Sequence, residues 1–130
     1  MPLAKNDIVY AELSYQIMGA TFRVYNTLGW GFSESHYQMS LEKELEKCGL
    51  DVRREVYLPL KYQDKTIAKS FADFIVENKI VLELKVVSKL GYANVKQVYA
   101  YLKSSGIKLG ILIYFTRDGI KYRRVLNSSA

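Results

Sequence analysis

Cysteine, histidine and proline are scarce in this sequence, and each scarcity excludes a class of structure. The 130 residues include one cysteine, one histidine and two prolines. A single cysteine, Cys48, excludes an internal disulfide and any cysteine zinc cluster, and it suits a reducing compartment. His36 has no second histidine to share a zinc ion with. We therefore expect a cytoplasmic protein without structural zinc.

Long apolar runs are also absent. No stretch approaches the ~20 apolar residues that cross a bilayer, and the first residues, MPLAKNDIVYAEL, lack the apolar core and cleavage site of a signal peptide. Basic residues outnumber acidic ones by 19 to 13, which gives a net charge of +6. This excess favours polyanionic partners, nucleic acid first. The length and composition predict one soluble domain over residues 1–130, with no membrane partner.

Three charged residues interrupt two otherwise apolar runs between Phe71 and Val87, FADFIVENKIVLELKVV. Strand alternation places successive side chains on opposite faces, so Glu83 and Lys85 share one face of their strand. A carboxylate and an ammonium therefore project side by side from a strand that is apolar elsewhere. The third charged residue, Asp73, lies in the preceding strand.

The position of Asp73 depends on the turn between the two strands. A three-residue loop over residues 77–79 places Asp73 opposite Glu83, whereas a two-residue loop places it opposite Leu84, on the other face. We expect the three-residue loop, because Asn78 tolerates a left-handed backbone and because this register gathers the polar groups.

Two opposed carboxylates have two physical interpretations. Directly opposed residues have Cβ atoms roughly 4.5–5.5 Å apart, and carboxylates that close repel each other. A divalent cation between Asp73 and Glu83 would remove the repulsion, and hard oxygen ligands suit Mg2+ or Mn2+. The alternative is a solvated antiparallel face on which Glu83 and Lys85 are ordinary charges. These residues alone leave both interpretations open.

The remaining patterns predict a mixed sheet with helices on it, in the α/β (α+β) class with the order α-α-β-β-β-α-β-β. Pro59 lacks an N–H, so the first strand is expected at a sheet edge or bulged there. The third strand and the apolar strand 108–115 should be joined by a right-handed parallel crossover. The predicted elements are a helix from Asn6 or Asp7 to about Leu28, a helix 34–48 capped by Ser33, strands 52–62, 67–76 and 80–87, a helix 94–104, and strands 108–115 and 120–126. In helix 34–48, Tyr37, Leu41 and Leu45 lie at four-residue spacing and form one packing stripe.

The polar residues, taken in order, resemble the motif of the PD-(D/E)XK nuclease superfamily. That motif is an Asp, then Glu-x-Lys, then a helix carrying Gln-x-x-x-Tyr. The matching residues here are Asp73, Glu83-Leu84-Lys85, Gln97 and Tyr101. The superfamily core, a helix, a three-strand meander, a helix and another strand, agrees with the predicted order. The resemblance thus implies a restriction-endonuclease-like core.

A second resemblance lies upstream, where residues 31–37, GFSESHY, fit the motif that names the small GxxExxY family of the same superfamily. Together the resemblances span about residues 7–124. The sequence also departs from the pattern: no proline precedes Asp73, Phe71 stands where relatives carry arginine, and Tyr114-Phe115 replaces Asn-Phe. Any substrate role that relatives give to this arginine or to the Asn-Phe pair does not transfer to this chain.

The resemblance implies metal-assisted hydrolysis of nucleic acid, with DNA as the expected substrate. Asp73 and Glu83 would hold Mg2+ or Mn2+, together with the backbone carbonyl of Leu84. Glu34 would complete the metal shell, although a first-turn acid is also favoured by the helix dipole alone. Lys85 would orient or deprotonate the attacking water and neutralise the transition state.

Other residues receive supporting roles from the same resemblance. Gln97 would lie near the metal or the scissile strand, with Tyr101 supporting it. Tyr37 would pack against the site, and Lys89 and Lys96 would meet phosphates. The simpler interpretation makes Gln97 and Tyr101 part of a solvated helix face and leaves the lysines facing water. A homodimer would suit double-strand cleavage, and the competing function is a nucleic-acid-binding or protein-interaction module without turnover.

Overall fold

The computed structural model describes residues 8–87 and 93–128, which form a mixed β-sheet with helices on both faces. The elements in chain order are α1 (Ala11–Leu28), α2 (Glu34–Lys47), β1 (Val52–Tyr57), β2 (Leu60–Tyr62), β3 (Lys65–Ala68), β4 (Phe71–Val76), β5 (Ile80–Val86), α3 (Ala93–Ser105), β6 (Leu109–Thr116) and β7 (Gly119–Leu126). None of the helices in these ranges is long and apolar enough to cross a bilayer.

The sheet has the strand order β1-β4-β5-β6-β7. Strands β5 and β6 are parallel and are connected through α3, while the other neighbouring pairs are antiparallel. Every residue of β6 is buried, as expected for an apolar strand covered on both faces. The predicted fold class and the parallel pairing are therefore confirmed.

The first two predicted strands are interrupted, which corrects their expected bounds. Strand β1 ends at Tyr57, and β2 and β3 form a separate two-stranded sheet. Pro59 has no N–H to donate to a ladder, so pairing between β1 and β4 stops just before it. The backbone N–H of Leu58 still donates to the carbonyl of Ser70, 2.8 Å away. The β2–β3 hairpin thus projects from the sheet edge.

The first helix begins later than predicted, at Ala11. Tyr10 precedes it with a left-handed backbone (φ 51°) and provides no side-chain cap. The expected caps, Asn6 and Asp7, lie outside the described residues. Helices α2 and α3 agree with their predicted bounds to within about one residue, the usual uncertainty at helix ends.

Two apolar cores hold the helices to the sheet. Helices α1 and α2 cover one face, and the predicted stripe of Tyr37, Leu41 and Leu45 is fully buried there. Helix α3 covers the other face. It lies so close to β6 that a Cβ at Gly110 would be 2.5 Å from Cγ1 of Val98. This close packing fixes α3 over the polar ends of β4 and β5.

The cap of α2 is a testable feature, because it sets the position of Glu34. The Ser33 hydroxyl accepts a hydrogen bond from the N–H of His36, 3.2 Å away. Ser33→Ala should lower the free energy of unfolding by about 0.5–2 kcal/mol, because one N–H at the helix start loses its partner. Urea unfolding measures the change, and Ser35→Ala, in the first turn of the same helix, is the matched control. Equal losses in both variants would contradict the cap.

Candidate active site

The turn between β4 and β5 brings the acidic residues together. Glu77 and Asn78 both have left-handed backbones (φ 55° and 54°), and Val76 pairs with Ile80. This is the predicted three-residue loop, and its register places Asp73 opposite Glu83. The regular backbone pairing of β4 with β5 extends only to Phe74. Beyond Phe74, hydrogen bonds from backbone N–H groups to the two carboxylates take the place of backbone–backbone pairing.

The two carboxylates are bound to the backbone of each other's strands. The N–H of Asp73 donates to Oε1 of Glu83, 2.8 Å away. In return, the N–H of Leu84 donates to Oδ2 of Asp73, 2.7 Å away. One oxygen of each carboxylate is thus held in place by a main-chain donor, which fixes the orientation of both groups.

Burial disfavours the charged forms of these acids, and the charge of Asp73 adds to the effect at Glu83 and Glu34. Glu83 is 2% exposed, and desolvation, then the Asp73 carboxylate, raises its pKa to about 8. Desolvation also raises the pKa of Asp73, although the Leu84 N–H and the Lys85 charge oppose the shift. The pKa of Glu34 is raised by desolvation too, against the attraction of Lys85. The nearby positive charges therefore do not offset the cost of burying these acids in their charged forms.

Lys85 provides a positive charge next to these acids. Its Nζ lies 3.8 Å from Oε2 of Glu83, and the side chain is partly exposed. Both residues project from the same face of β5, as alternation predicts. Lys85 also lowers the pKa of Glu34, which lies at the start of α2. The ammonium is therefore shared among the acids rather than paired with one of them.

Helix α2 contributes a polar row that the sequence pattern did not single out. Gln38 and Glu42 follow Glu34 at four-residue intervals, and both contact Arg54 of β1. The Arg54 guanidinium donates to the Gln38 amide oxygen at 3.0 Å and lies 3.3 Å from a Glu42 carboxylate oxygen. Gln38 in turn hydrogen-bonds the Asp73 carboxylate, and this bond lowers the pKa of Asp73. Arg54 and Gln38 thus position Asp73 from the sheet edge.

Helix α3 approaches the site through Tyr101. The Tyr101 hydroxyl donates to the carbonyl of Phe71, 3.1 Å away, and accepts from Nε2 of Gln97 at 3.0 Å. Desolvation, then the charges of Glu83 and Asp73, raises the pKa of Tyr101 to about 12. The simpler expectation of a solvated position is wrong for Tyr101, which is buried, while Gln97 is exposed.

The other predicted site residues lie in varied surroundings. Tyr37 is buried; its ring stacks on Phe115 with centroids 4.2 Å apart, and its hydroxyl donates to the carbonyl of Gly29. It therefore supports the turn before α2. The Leu84 side chain belongs to the core beneath α1 and α2. Lys96 is exposed on α3, and Lys89 lies outside the described residues.

The donor set fits a hard divalent cation. Mg2+ is commonly held by one or two carboxylates and keeps several waters, and Asp73 with Glu83 supplies two. Their raised pKa values are those of a carboxylate pair short of positive charge. Within residues 8–87 and 93–128 no group of three or more His, Cys, Asp or Glu side chains could hold a metal. Glu34 thus influences the pair electrostatically without completing such a group.

A model of the PD-(D/E)XK nuclease superfamily matches residues 11–125. The chain belongs to this superfamily. The match extends from the start of α1 to the end of β7, so it includes every element that builds the site. No curated protein matches the sequence.

Solved structures share the fold of this chain. The crystal structure of SSO0001 is similar with a TM-score of 0.56 and 22% identity over 88% of this chain, and the chain spans 61% of the length of SSO0001. An alkaline exonuclease (LHK-Exo) from Laribacter hongkongensis is similar with a TM-score of 0.51 and 10% identity, over 84% of this chain and 77% of the exonuclease. LHK-Exo in complex with dAMP is similar with a TM-score of 0.51 and 11% identity, over 89% of this chain and 83% of the exonuclease.

The contact between Gln38 and Asp73 predicts a measurable change in acidity. Gln38→Ala should raise the pKa of Asp73 further, because the variant removes a hydrogen bond to the charged form. Carbon-13 NMR titration of the aspartate carboxyl groups would follow the shift. Gln16→Ala, an exposed glutamine on α1, is the matched control. An Asp73 titration that is the same in Gln38→Ala and wild type would show that Gln38 does not act on the carboxylate.

Proposed function

We propose that this protein is a metal-dependent nuclease that hydrolyses phosphodiester bonds of DNA at the site formed by Asp73, Glu83 and Lys85. The observation that carries the proposal is the convergence of two desolvated carboxyl groups, those of Asp73 and Glu83, beside the ammonium of Lys85. Membership of the nuclease superfamily supports the same chemistry. The complex of a structural neighbour with dAMP supports DNA as the substrate class.

Each residue of the site has a role in this proposal. Asp73 and Glu83 would hold Mg2+ or Mn2+, with the carbonyl of Leu84 as a further oxygen ligand, and Glu34 would act on the pair through its charge. The bound cation would supply Lewis-acid polarisation of a phosphoryl oxygen and a water of lowered pKa. Lys85, as an ammonium, would orient the attacking water and balance the negative charge that develops on the phosphoryl oxygens.

Gln97 and Tyr101 act from α3. Tyr101 is a positioning residue, because its hydroxyl holds the carbonyl of Phe71 and thereby the start of β4. Gln97 is bonded to Tyr101 and exposed to solvent, so its amide can contact the scissile strand. Lys96, exposed on the same helix, and Lys89 would contact phosphates of the DNA.

The motif of residues 31–37 supports membership of the GxxExxY family within this proposal. Gly31 has a φ of 112°, which side-chain-bearing residues rarely adopt. Glu34 interacts with Asp73 and Lys85, and Tyr37 holds the turn through its bond to Gly29. Each named position of the motif therefore shapes the approach of Glu34 to the site.

A cleavage screen tests the proposed function. Linear and circular DNA, single-stranded and duplex, and RNA of matched length would each be incubated with wild type in Mg2+, Mn2+ or EDTA. We expect cation-dependent cleavage of DNA that EDTA abolishes and that Asp73→Asn lacks while remaining folded by circular dichroism. Comparable cleavage by Asp73→Asn, or no cleavage of any substrate by folded wild type, would contradict the proposal.

A further inference from the structure

An open groove of about 650 Å3 lies between the β2–β3 hairpin and α3, away from the carboxylates themselves. One wall is formed by residues 57–61 and the other by Tyr99, Ala100, Lys103 and Ser104 of α3. We call this feature the hairpin groove. Its volume falls in the range of about 300–1,000 Å3 that is typical of ligand sites. The Ser104 hydroxyl donates to the carbonyl of Pro59 across it, at 2.8 Å, and holds the two walls together.

The hairpin groove combines aromatic rings with positive charge. Among the described residues that line it, Lys61 and Lys103 are basic and none is acidic. The Nζ of Lys103 lies 5.2 Å from the ring centroid of Tyr99, a cation–π arrangement. At the other wall Tyr57 is 46% exposed, so its ring remains available for a ligand.

The groove continues toward the candidate active site. Tyr57 pairs with Phe71 across β1 and β4, and their ring centroids are 5.4 Å apart. Phe71, also exposed, accepts the Tyr101 hydrogen bond and precedes Asp73 by two residues. A ligand that lies on Tyr57 and Phe71 is therefore adjacent to the strand that carries the first carboxylate.

We propose that the hairpin groove binds single-stranded nucleic acid, whose bases stack on Tyr57 and Phe71 while its phosphates contact Lys61 and Lys103. Exposed rings beside lysines are the combination by which proteins hold unpaired strands. The faces of bases inside a duplex are already stacked on their neighbours, so only unpaired bases can use these rings. The inference that the groove delivers a strand for cleavage rests on the proposed nuclease function.

Binding in EDTA tests the groove separately from cleavage. Fluorescence anisotropy would compare a labelled oligothymidylate with a duplex of equal length. Tyr57→Ala should weaken single-strand binding by about tenfold, the order expected for one lost base–aromatic stack, and leave duplex binding unchanged. Tyr57→Phe keeps the ring and should bind like wild type. Tyr122→Ala, an equally exposed tyrosine on β7 at the opposite edge of the sheet, is the matched control.

A lysine variant provides a second readout on an exposed side chain. Lys103→Gln should reduce the slope of log affinity against log salt for the single strand by about 0.7, since one phosphate contact is lost. Equal single-strand affinity of Tyr57→Ala and wild type, or equal loss in Tyr122→Ala, would overturn the proposal. A third result would also overturn it. In that case light scattering would show a wild-type dimer that Tyr57→Ala abolishes, while oligonucleotide binding stays the same in both proteins.

The two proposals fail in different ways. If folded wild type cleaves nothing but Tyr57→Ala still loses single-strand binding, the nuclease function is wrong and the hairpin groove stands. If wild type cleaves DNA and Tyr57→Ala binds single strands normally, the nuclease function stands and the groove is wrong.

Discussion

Lys85→Ala should lower the single-turnover rate of DNA cleavage by about 100- to 1,000-fold, the usual cost of removing one group that stabilises the charge of a transition state. Lys85 has its Nζ 3.8 Å from Oε2 of Glu83. Its removal also eliminates a charge that lowers the pKa of Glu83, so cation binding should require a higher pH. Rates are therefore measured at saturating Mn2+ and over a range of pH.

Two comparisons make this result specific to the site. Lys121→Ala removes an exposed lysine from β7 and should leave the rate unchanged. Binding of Mn2+ to Lys85→Ala should persist, because Asp73 and Glu83 are intact. A cleavage rate within a few-fold of wild type at every pH would show that Lys85 neither orients the water nor balances the developing charge.

The free energy of unfolding without divalent cations should fall as the pH rises from about 5 to about 8. Glu83 binds its proton more tightly in the folded protein, where its pKa is about 8, than in the unfolded chain, where the ordinary value is 4.5. The native state therefore carries the extra proton between these values, and stability is lost as that proton is released. The loss should be about 3–5 kcal/mol for Glu83, with Asp73 and Glu34 adding shifts of the same sign.

Urea unfolding in EDTA at several pH values measures this dependence. Glu83→Gln cannot ionise, so its stability should vary much less over the same range. Glu46→Gln, which removes an exposed glutamate from α2, should keep the wild-type dependence. Wild-type stability that stays constant or increases between pH 5 and pH 8 would contradict the raised pKa of Glu83.

The centre of the site was predictable because short-range rules determine it. Strand alternation fixed the common face of Glu83 and Lys85, and the left-handed tolerance of Asn78 favoured the loop that brings Asp73 opposite Glu83. The helical stripe of Tyr37 with its neighbours predicted burial correctly for the same reason. These inferences need only neighbouring residues and one turn.

The surrounding shell depends on how distant elements pack, which local patterns do not specify. The sequence of α2 alone gives no reason to place Gln38 in the site. Its role depends on Arg54 of β1, which donates a hydrogen bond to it in the fold. Tyr101 lies four residues after the polar Gln97 and three residues after the apolar Val98, so spacing alone does not decide whether it is buried. The packing of its hydroxyl against the carbonyl of Phe71 decides this. A clue to Gln38 was present in its four-residue spacing from Glu34 and Glu42, next to the buried stripe.

The break in the first strands illustrates a different limit. Alternating apolar residues continue from β1 into β2, so the pattern indicates one strand. Pro59 pointed to an irregularity, but the separation of β2 and β3 into a hairpin depends on where pairing with β4 ends. That hairpin contributes to one wall of the hairpin groove. The sequence patterns therefore could not predict the groove.

Calorimetric titration of Mn2+ at pH 7, in two buffers of different ionisation enthalpy, tests most directly whether the carboxylates form a cation site. Glu83 is largely protonated at this pH, because its pKa is about 8. Binding of Mn2+ should therefore release the Glu83 proton, close to one proton per ion. Asp73→Asn should not bind. Absence of binding by wild type, or equal binding by Asp73→Asn without proton release, would contradict the shared cation.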